Sequence, residues 1–294
     1  METLETLHAE PSPSDARAPR EIAQLVETAG VAKARLGGLS TLALGILGGA
    51  FIALGADFSA VVALGSPAAF GLHRLVSAAC FSLGLVLVVG AGAELFTGNN
   101  LIVMAWASGR IRACELFRNW AIVYAGNAIG AAATALAAAW SGQWRLGDGA
   151  LGEQLWRIAA LKSELDPFEA FLRGVLCNAL VCLAVWLSMG ARGMAEKILA
   201  VVFPVTAFVA CGFEHSIANL FYFPAGLLAE AASSSPAGGA APGPGPLSIP
   251  NMLLNNLLPV TLGNVVGGGG LVAGVYWLVY LRPANPRGGG APGS

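Results

Sequence analysis

The octapeptide GFEHSIAN, residues 212–219, sets a carboxylate, Glu214, beside an imidazole, His215, between the apolar runs ILAVVFPVTAFVA and NLFYF. An imidazole has an ordinary pKa of about 6.5, so it can exchange a proton or hydrogen-bond an anion near neutral pH. A charged side chain at the centre of a membrane helix costs roughly 2.5–3.5 kcal/mol on insertion scales, so ionisable residues in such surroundings mark a functional site. The same pattern (Gly, any residue, Glu, four residues, Asn) stands 120 positions earlier as GAELFTGN, residues 92–99. The two copies contribute Glu94, Thr97 and Asn99, and Glu214, His215 and Asn219. A hydrolytic reading would use His215 as base and Ser216 or Cys211 as nucleophile. Adjacent helical residues face different directions, so His215 and Ser216 would need unusual geometry. The five cysteines (Cys80, Cys114, Cys177, Cys182 and Cys211) lack metal-ligand spacing and read as small packing residues. No metal or cofactor is expected.

The elements that must position these residues are membrane spans. Of the 294 residues 56% are hydrophobic and 11% charged, against roughly 25% charged in soluble domains. The mean hydropathy is +0.68. Stretches of about 20 apolar residues suffice to cross a bilayer as helices. Six are expected, near 38–56, 72–107, 113–140, 167–190, 195–228 and 260–281. The second and fifth are too long for one plain crossing and carry polar interruptions near 97–100 and 212–216. Residues 1–19 read as a disordered tail with Glu2, Glu5, Glu10 and Asp15 and without a signal peptide's apolar core. Residues 20–36 form an amphipathic helix whose Ile22, Leu25, Val26, Ala29 and Leu36 share a face suited to the membrane surface. Residues 37–282 make a single transmembrane domain, with a Gly/Pro/Ser-rich loop at 229–249 and a disordered tail at 283–294. A net charge of −1 without a basic run gives nucleic acid no footing.

Eleven of the 16 Lys and Arg fall in the N-terminal segment, the 108–118 and 191–197 connections and the C-terminal tail. The positive-inside rule therefore puts both termini in the cytoplasm and the 141–166 connection outside. A second pair of matches, GNAIG at 126–130 and GNVVG at 263–267, follows the first in the same order. Each half then holds three spans, and three is odd, so the halves enter the membrane oppositely as an inverted repeat. Breaking a helix in lipid leaves backbone groups without partners. Glu94, Asn99, Glu214 and Asn219 are suited to supply them, since a carboxylate accepts and an amide both donates and accepts.

Four segments, AELFTGN, LCNALVCLAVW (176–186), CGFEHSIAN and NLLPVTLGNVVGGG (256–269), together resemble the formate/nitrite transporter family over residues 20–282. The resemblance implies an all-α, aquaporin-like protomer of six transmembrane helices. It also implies a homopentamer in the cytoplasmic membrane with one pore per subunit, passing small monovalent anions: formate first, then nitrite or hydrosulfide. A neutral-solute pore is the alternative within transport. By position, the resemblance makes His215 the central histidine and Thr97 its partner, Lys162 the outer-vestibule lysine and Asn178 the fourth-span asparagine. It makes Phe81, Leu85 and Phe208 the apolar constrictions. One departure stands out: Ser163 and Glu164 follow Lys162 in ALKSEL where formate channels often carry histidines.

Overall fold

The computed structural model describes residues 16–64, 69–233 and 247–282, all of whose regular structure is helical. Residues 1–15 of the tail expected at 1–19, the tail expected at 283–294 and residues 234–246 of the expected loop lie outside the described residues; residues 16–19 are not disordered, since Arg17 bonds the backbone of Met189, Gly190 and Ala191 and Pro19 opens the first helix. We number the helices α1 Pro19–Arg35, α2 Gly38–Val62 and α3 Phe70–Ala91. A 3₁₀ turn Gly98–Ile102 running into Val103–Ala107 forms α4. There follow α5 Ala113–Trp140, α6 Ala150–Ser163, α7 Pro167–Gly190, α8 Met194–Ala210, α9 Ser216–Ser233 and α10 Ile249–Tyr280. Among them α2, α3, α5, α7 and α10 are long and apolar enough to cross a membrane singly.

Both long spans are broken, and each is broken by the first glycine of the repeated motif. Gly92 (φ 83°) ends α3 and Gly212 (φ 73°) follows the end of α8. Both are left-handed, a conformation that costs glycine nothing and other residues dearly. The first break thus falls at 92–97, ahead of the 97–100 expected from the polar residues, because the αL glycine stops the helix and Asn99 already lies in the next one.

Three further boundaries differ from expectation. Helix α2 continues past residue 56 to Val62, because Asp57 does not end it but accepts a hydrogen bond from Gln143 Nε2 at 2.6 Å. The 141–166 connection contains α6. Helix α10 begins at residue 249, not 260, and passes through two π-helical stretches at Met252–Leu257 and Val266–Gly274.

Helix α1 is amphipathic, but its apolar face meets protein and not a free membrane surface. Ile22, Ala23, Val26, Gly30 and Ala34 are buried, while Leu25 is exposed. They pack against Leu101, Met104, Ile102 and Ala105 of α4. Helix α6 packs comparably on α9 and closes over Leu151 and Leu155, both fully buried. The repeat unit is therefore a surface helix followed by three spans, α1–α5 matching α6–α10.

The outer spans of each half approach backbone to backbone. A Cβ on Gly130 would lie 1.9 Å from Ile46 O, and one on the equivalent Gly267 would lie 2.1 Å from Val175 O. Side chains there must force α5 from α2, or α10 from α7. Gly130→Ala and Gly267→Ala are each expected to cost about 1–3 kcal/mol or more, read as a lowered thermal midpoint and folded yield in detergent. Gly270→Ala, with nothing within 4 Å of its Cβ, serves as the control. A Gly130→Ala protein melting with the parent would refute the close approach.

Candidate functional site

Each break is tied by one buried asparagine from the last span of its half. Asn127 Nδ2 donates to Gly45 O (2.7 Å) and Glu94 O (2.9 Å), and its Oδ1 accepts from Phe96 N (2.9 Å). Asn264 repeats this arrangement on Gly174 O (2.8 Å), Glu214 O (3.0 Å) and Ser216 N (3.0 Å). One amide thereby serves two acceptors and one donor that lipid would leave unpaired.

The carboxylates form a second matching set. Glu94 accepts from Lys33 Nζ (2.5 Å) and Asn99 Nδ2 (2.6 Å), and Asn99 also donates to Asn119 Oδ1 (2.9 Å). Glu214 accepts from Lys162 Nζ (2.8 Å), Asn219 Nδ2 (2.8 Å) and Asn256 Nδ2 (3.2 Å), and Asn219 also donates to Asn256 Oδ1 (2.6 Å). Asn119 and Asn256 donate to the backbone oxygens of Lys33 and Lys162 respectively. Glu94 and Glu214 are 5% and 4% exposed, so their charge requires these partners. The four side chains expected to pair the freed backbone bond instead to lysine and asparagine side chains, as two Lys–Glu–Asn–Asn networks, and the backbone of the breaks is taken up by Asn127 and Asn264.

Thr97 and His215 face each other across the two breaks, with Thr97 Oγ1 and His215 Nε2 3.0 Å apart. His215 Nδ1 accepts from Ala218 N at 3.1 Å and so caps the first turn of α9. A backbone N–H can only donate, so Nδ1 carries no proton in this arrangement, and neutral His215 bears its hydrogen on Nε2. Asn178 donates to Thr97 O (3.3 Å) and Asn264 O (2.6 Å) and so holds the threonine from behind; it lines none of the spaces beside His215.

Beside His215 lies a path of three spaces, none of them lined by Thr97. A cavity of about 390 Å³ on one side is lined by Arg17, Lys33, Lys197, Leu85 and Leu95, among others. A cavity of about 240 Å³ on the other is lined by Arg74, Lys162, Phe81, Phe208, Glu214, His215 and Tyr222, among others. Between them a void of about 10 Å³ is bounded by Ile52, Phe81, Leu85, Leu95, Val181, Val205, Phe208 and His215. That is about the room one water needs. Phe208 closes it edge-on to Phe81 (centroids 5.7 Å) and stacked on His215 (5.9 Å). Phe81, Leu85 and Phe208, apart by up to 127 positions in sequence, thus meet at one constriction.

Sequence reasoning missed Lys33, Arg74, Asn119, Asn127, Asn256 and Asn264. Some signal was present. Asn127 and Asn264 lie in the repeated GNAIG and GNVVG, and Lys33 precedes Lys162 by 129 positions, as Gly45 precedes Gly174.

An all-helical chain of membrane-length spans, whose inverted halves meet at two broken helices around a narrow path, has the architecture of an aquaporin-like membrane channel. The chain belongs to the formate/nitrite transporter family, whose sequence profile matches residues 20–278. It is 42% identical to the formate channel FocA of Escherichia coli (strain K12) over 277 residues, 92% of this chain and 97% of that protein. It is 38% identical to a probable formate transporter of Methanothermobacter thermautotrophicus over 290 residues, 92% and 97% of the two chains. Among solved structures, it superposes on a pentameric formate channel with formate bound at a TM-score of 0.76 and 38% identity, covering 83% of this chain and 98% of the other.

The asparagine ties generate a prediction. Asn264→Leu strips Gly174 O, Glu214 O and Ser216 N of a partner, at roughly 1–3 kcal/mol per orphaned group. A lowered thermal midpoint is expected, and Asn127→Leu should behave alike. If either variant melted with the parent, its amide would not be what holds the break.

Proposed function

We propose that the chain is a channel for small monovalent anions of the cytoplasmic membrane, with formate its first substrate and nitrite its second. One observation carries this reading: His215 is the one polar side chain among the eight residues lining the central void. A bare anion meets a far larger desolvation penalty than its conjugate acid, so an apolar constriction passes a small anion when a donor meets it there. His215 Nε2–H is that donor, and Thr97 accepts from it in the anion's absence. Helices α4 and α9 both begin beside this pair, at Gly98 and Ser216, so their positive ends converge on it and favour negative charge. The void is too small for formate as it stands, so passage requires Phe81, Phe208 or Leu85 to swing aside.

The mouth with Arg17, Lys33 and Lys197 faces the cytoplasm in this reading, in keeping with the positive-inside rule, and the mouth with Lys162 faces outward. Lys33 and Lys162 stand at the two approaches, each paired with its buried glutamate. The likeness to the pentameric formate channel supports a homopentamer, in which each subunit carries its own path.

Proton coupling has a geometric condition here. The imidazole gains a second proton only at Nδ1, and only by giving up the bond from Ala218 N. A protonated state therefore comes with a loosened first turn of α9. His215→Asn separates the two roles, since asparagine can cap with Oδ1 and donate with Nδ2 but has no titratable ring. The expected outcome in proteoliposomes is a variant of near-parental thermal stability that still passes formate downhill, with the acid-stimulated fraction of uptake reduced severalfold. His215→Leu, lacking cap and donor, should lose stability and flux together. An intact Asn variant with the parent's pH profile would remove the ring from proton coupling. Parent protein passing glycerol but neither formate nor nitrite would overturn the anion reading itself.

A further inference from the structure

Two of the lysines at the mouths are each neutralised by a buried glutamate, Lys162 by Glu214 and Lys33 by Glu94. They hold the breaks but add little net charge to the water outside. Arg74 lines the same 240 Å³ cavity as Lys162 and, among the described residues, no carboxylate lies within 4.0 Å of it. Arg173 nearby is paired with Glu169. Arg74 spends its donors on backbone: Nε on Ala210 O (2.7 Å) and Nη2 on Val209 O (3.2 Å), the last carbonyls of α8. Its guanidinium also lies over the Phe70 ring, 5.6 Å from the centroid. A guanidinium stays protonated throughout the accessible pH range.

We propose that Arg74, and not Lys162, is the residue that concentrates anions at this mouth. The assignment rests on the anion-channel reading and refines it. Its position suits the task. Arg74 stands seven residues before Phe81 on α3, two turns away on the same face, about 10 Å further from the constriction. It grips α8 one and two residues beyond Phe208, the other half of that constriction. A fixed unit charge thus stands directly ahead of the apolar gate, held by the helix that carries half of it. The partial negative charge of the α8 C-terminus offsets only about half a unit.

The test is initial formate flux against concentration in proteoliposomes, at low ionic strength and at about 0.5 M salt of an impermeant ion. Arg74→Gln is expected to raise the half-saturating formate concentration roughly three- to tenfold at low ionic strength, and by a clearly smaller factor in high salt. Arg74→Lys restores the charge without the two-point grip and should recover most of the low-salt affinity. The assignment falls if Arg74→Gln keeps the parent's low-salt affinity. It also falls if the lysine variant is as impaired as the glutamine one, or if the glutamine variant loses stability while keeping the parent's salt dependence; each would leave Arg74 only a helix cap. Saturable formate flux by the parent is the separate test of the channel reading, so the two failures are told apart within one experiment.

Discussion

A helix interrupted inside hydrocarbon must find partners for every backbone group it frees, since lipid supplies none. The rest of this structure depends on how that is done. Asn127 and Asn264 each take up two carbonyls and one N–H, and Glu94 and Glu214 are held by a lysine and by amides. Because these ties reach from the last span and the surface helix of each half to its broken helix, they fix the relative positions of four elements at once. Surface helices α1 and α6 are therefore part of the channel wall: each delivers the lysine without which a buried glutamate would be left alone. Removing one partner of such a pair costs roughly 3–5 kcal/mol, far more than the pair contributes net. The networks act mainly as a specification of geometry.

The geometry so fixed is what lets weakly bonded residues act at the centre. Thr97 is held from behind by Asn178, and His215 by its own cap on Ala218, so their 3.0 Å contact is set by backbone and not by the contact itself. An incoming anion can break that contact without disturbing the breaks.

Much of this was legible in the sequence. The spans, the two interruptions and the inverted repeat follow from apolar length, polar residues in the wrong place and an odd number of spans per half. His215, Glu94, Asn99, Glu214 and Asn219 stood out because charge and amide in lipid are costly. What stayed hidden shares one physical cause. Asn127 and Asn264 cost little in a small-residue helix, and their role exists only through backbone groups about 30–90 positions away. Lys33 looked like part of an ordinary amphipathic surface helix, and α6 like a plain connection. Phe81 and Leu85 are indistinguishable from packing until Phe208 meets them, and only resemblance singled them out. Helix α10 began earlier than expected because its polar first turns face Lys162 and Asn219 and so need no water.

The functional pair sits where the repeat is not obeyed. Under the 120-position offset Leu95 matches His215, and Thr97 matches Ile217. Leu95 and His215 both line the central void, as do Leu85 with Val205 at the same offset and Ile52 with Val181 at the 129-position offset that relates Lys33 to Lys162. The pseudo-twofold axis therefore runs through the narrowest point of the path. The Asn and Glu networks keep their symmetry, because both breaks raise the same backbone problem. The residues beside them are free to differ, because their side chains satisfy nothing that the fold requires in both halves. Under the proposed function, a leucine on one wall strips water from the anion, while a histidine on the other returns one hydrogen bond. Donors on both walls would hold the anion at the axis, and donors on neither would exclude it. Conduction needs binding strong enough to admit and weak enough to release. Under the proposed function, the difference between Leu95 and His215 meets both demands.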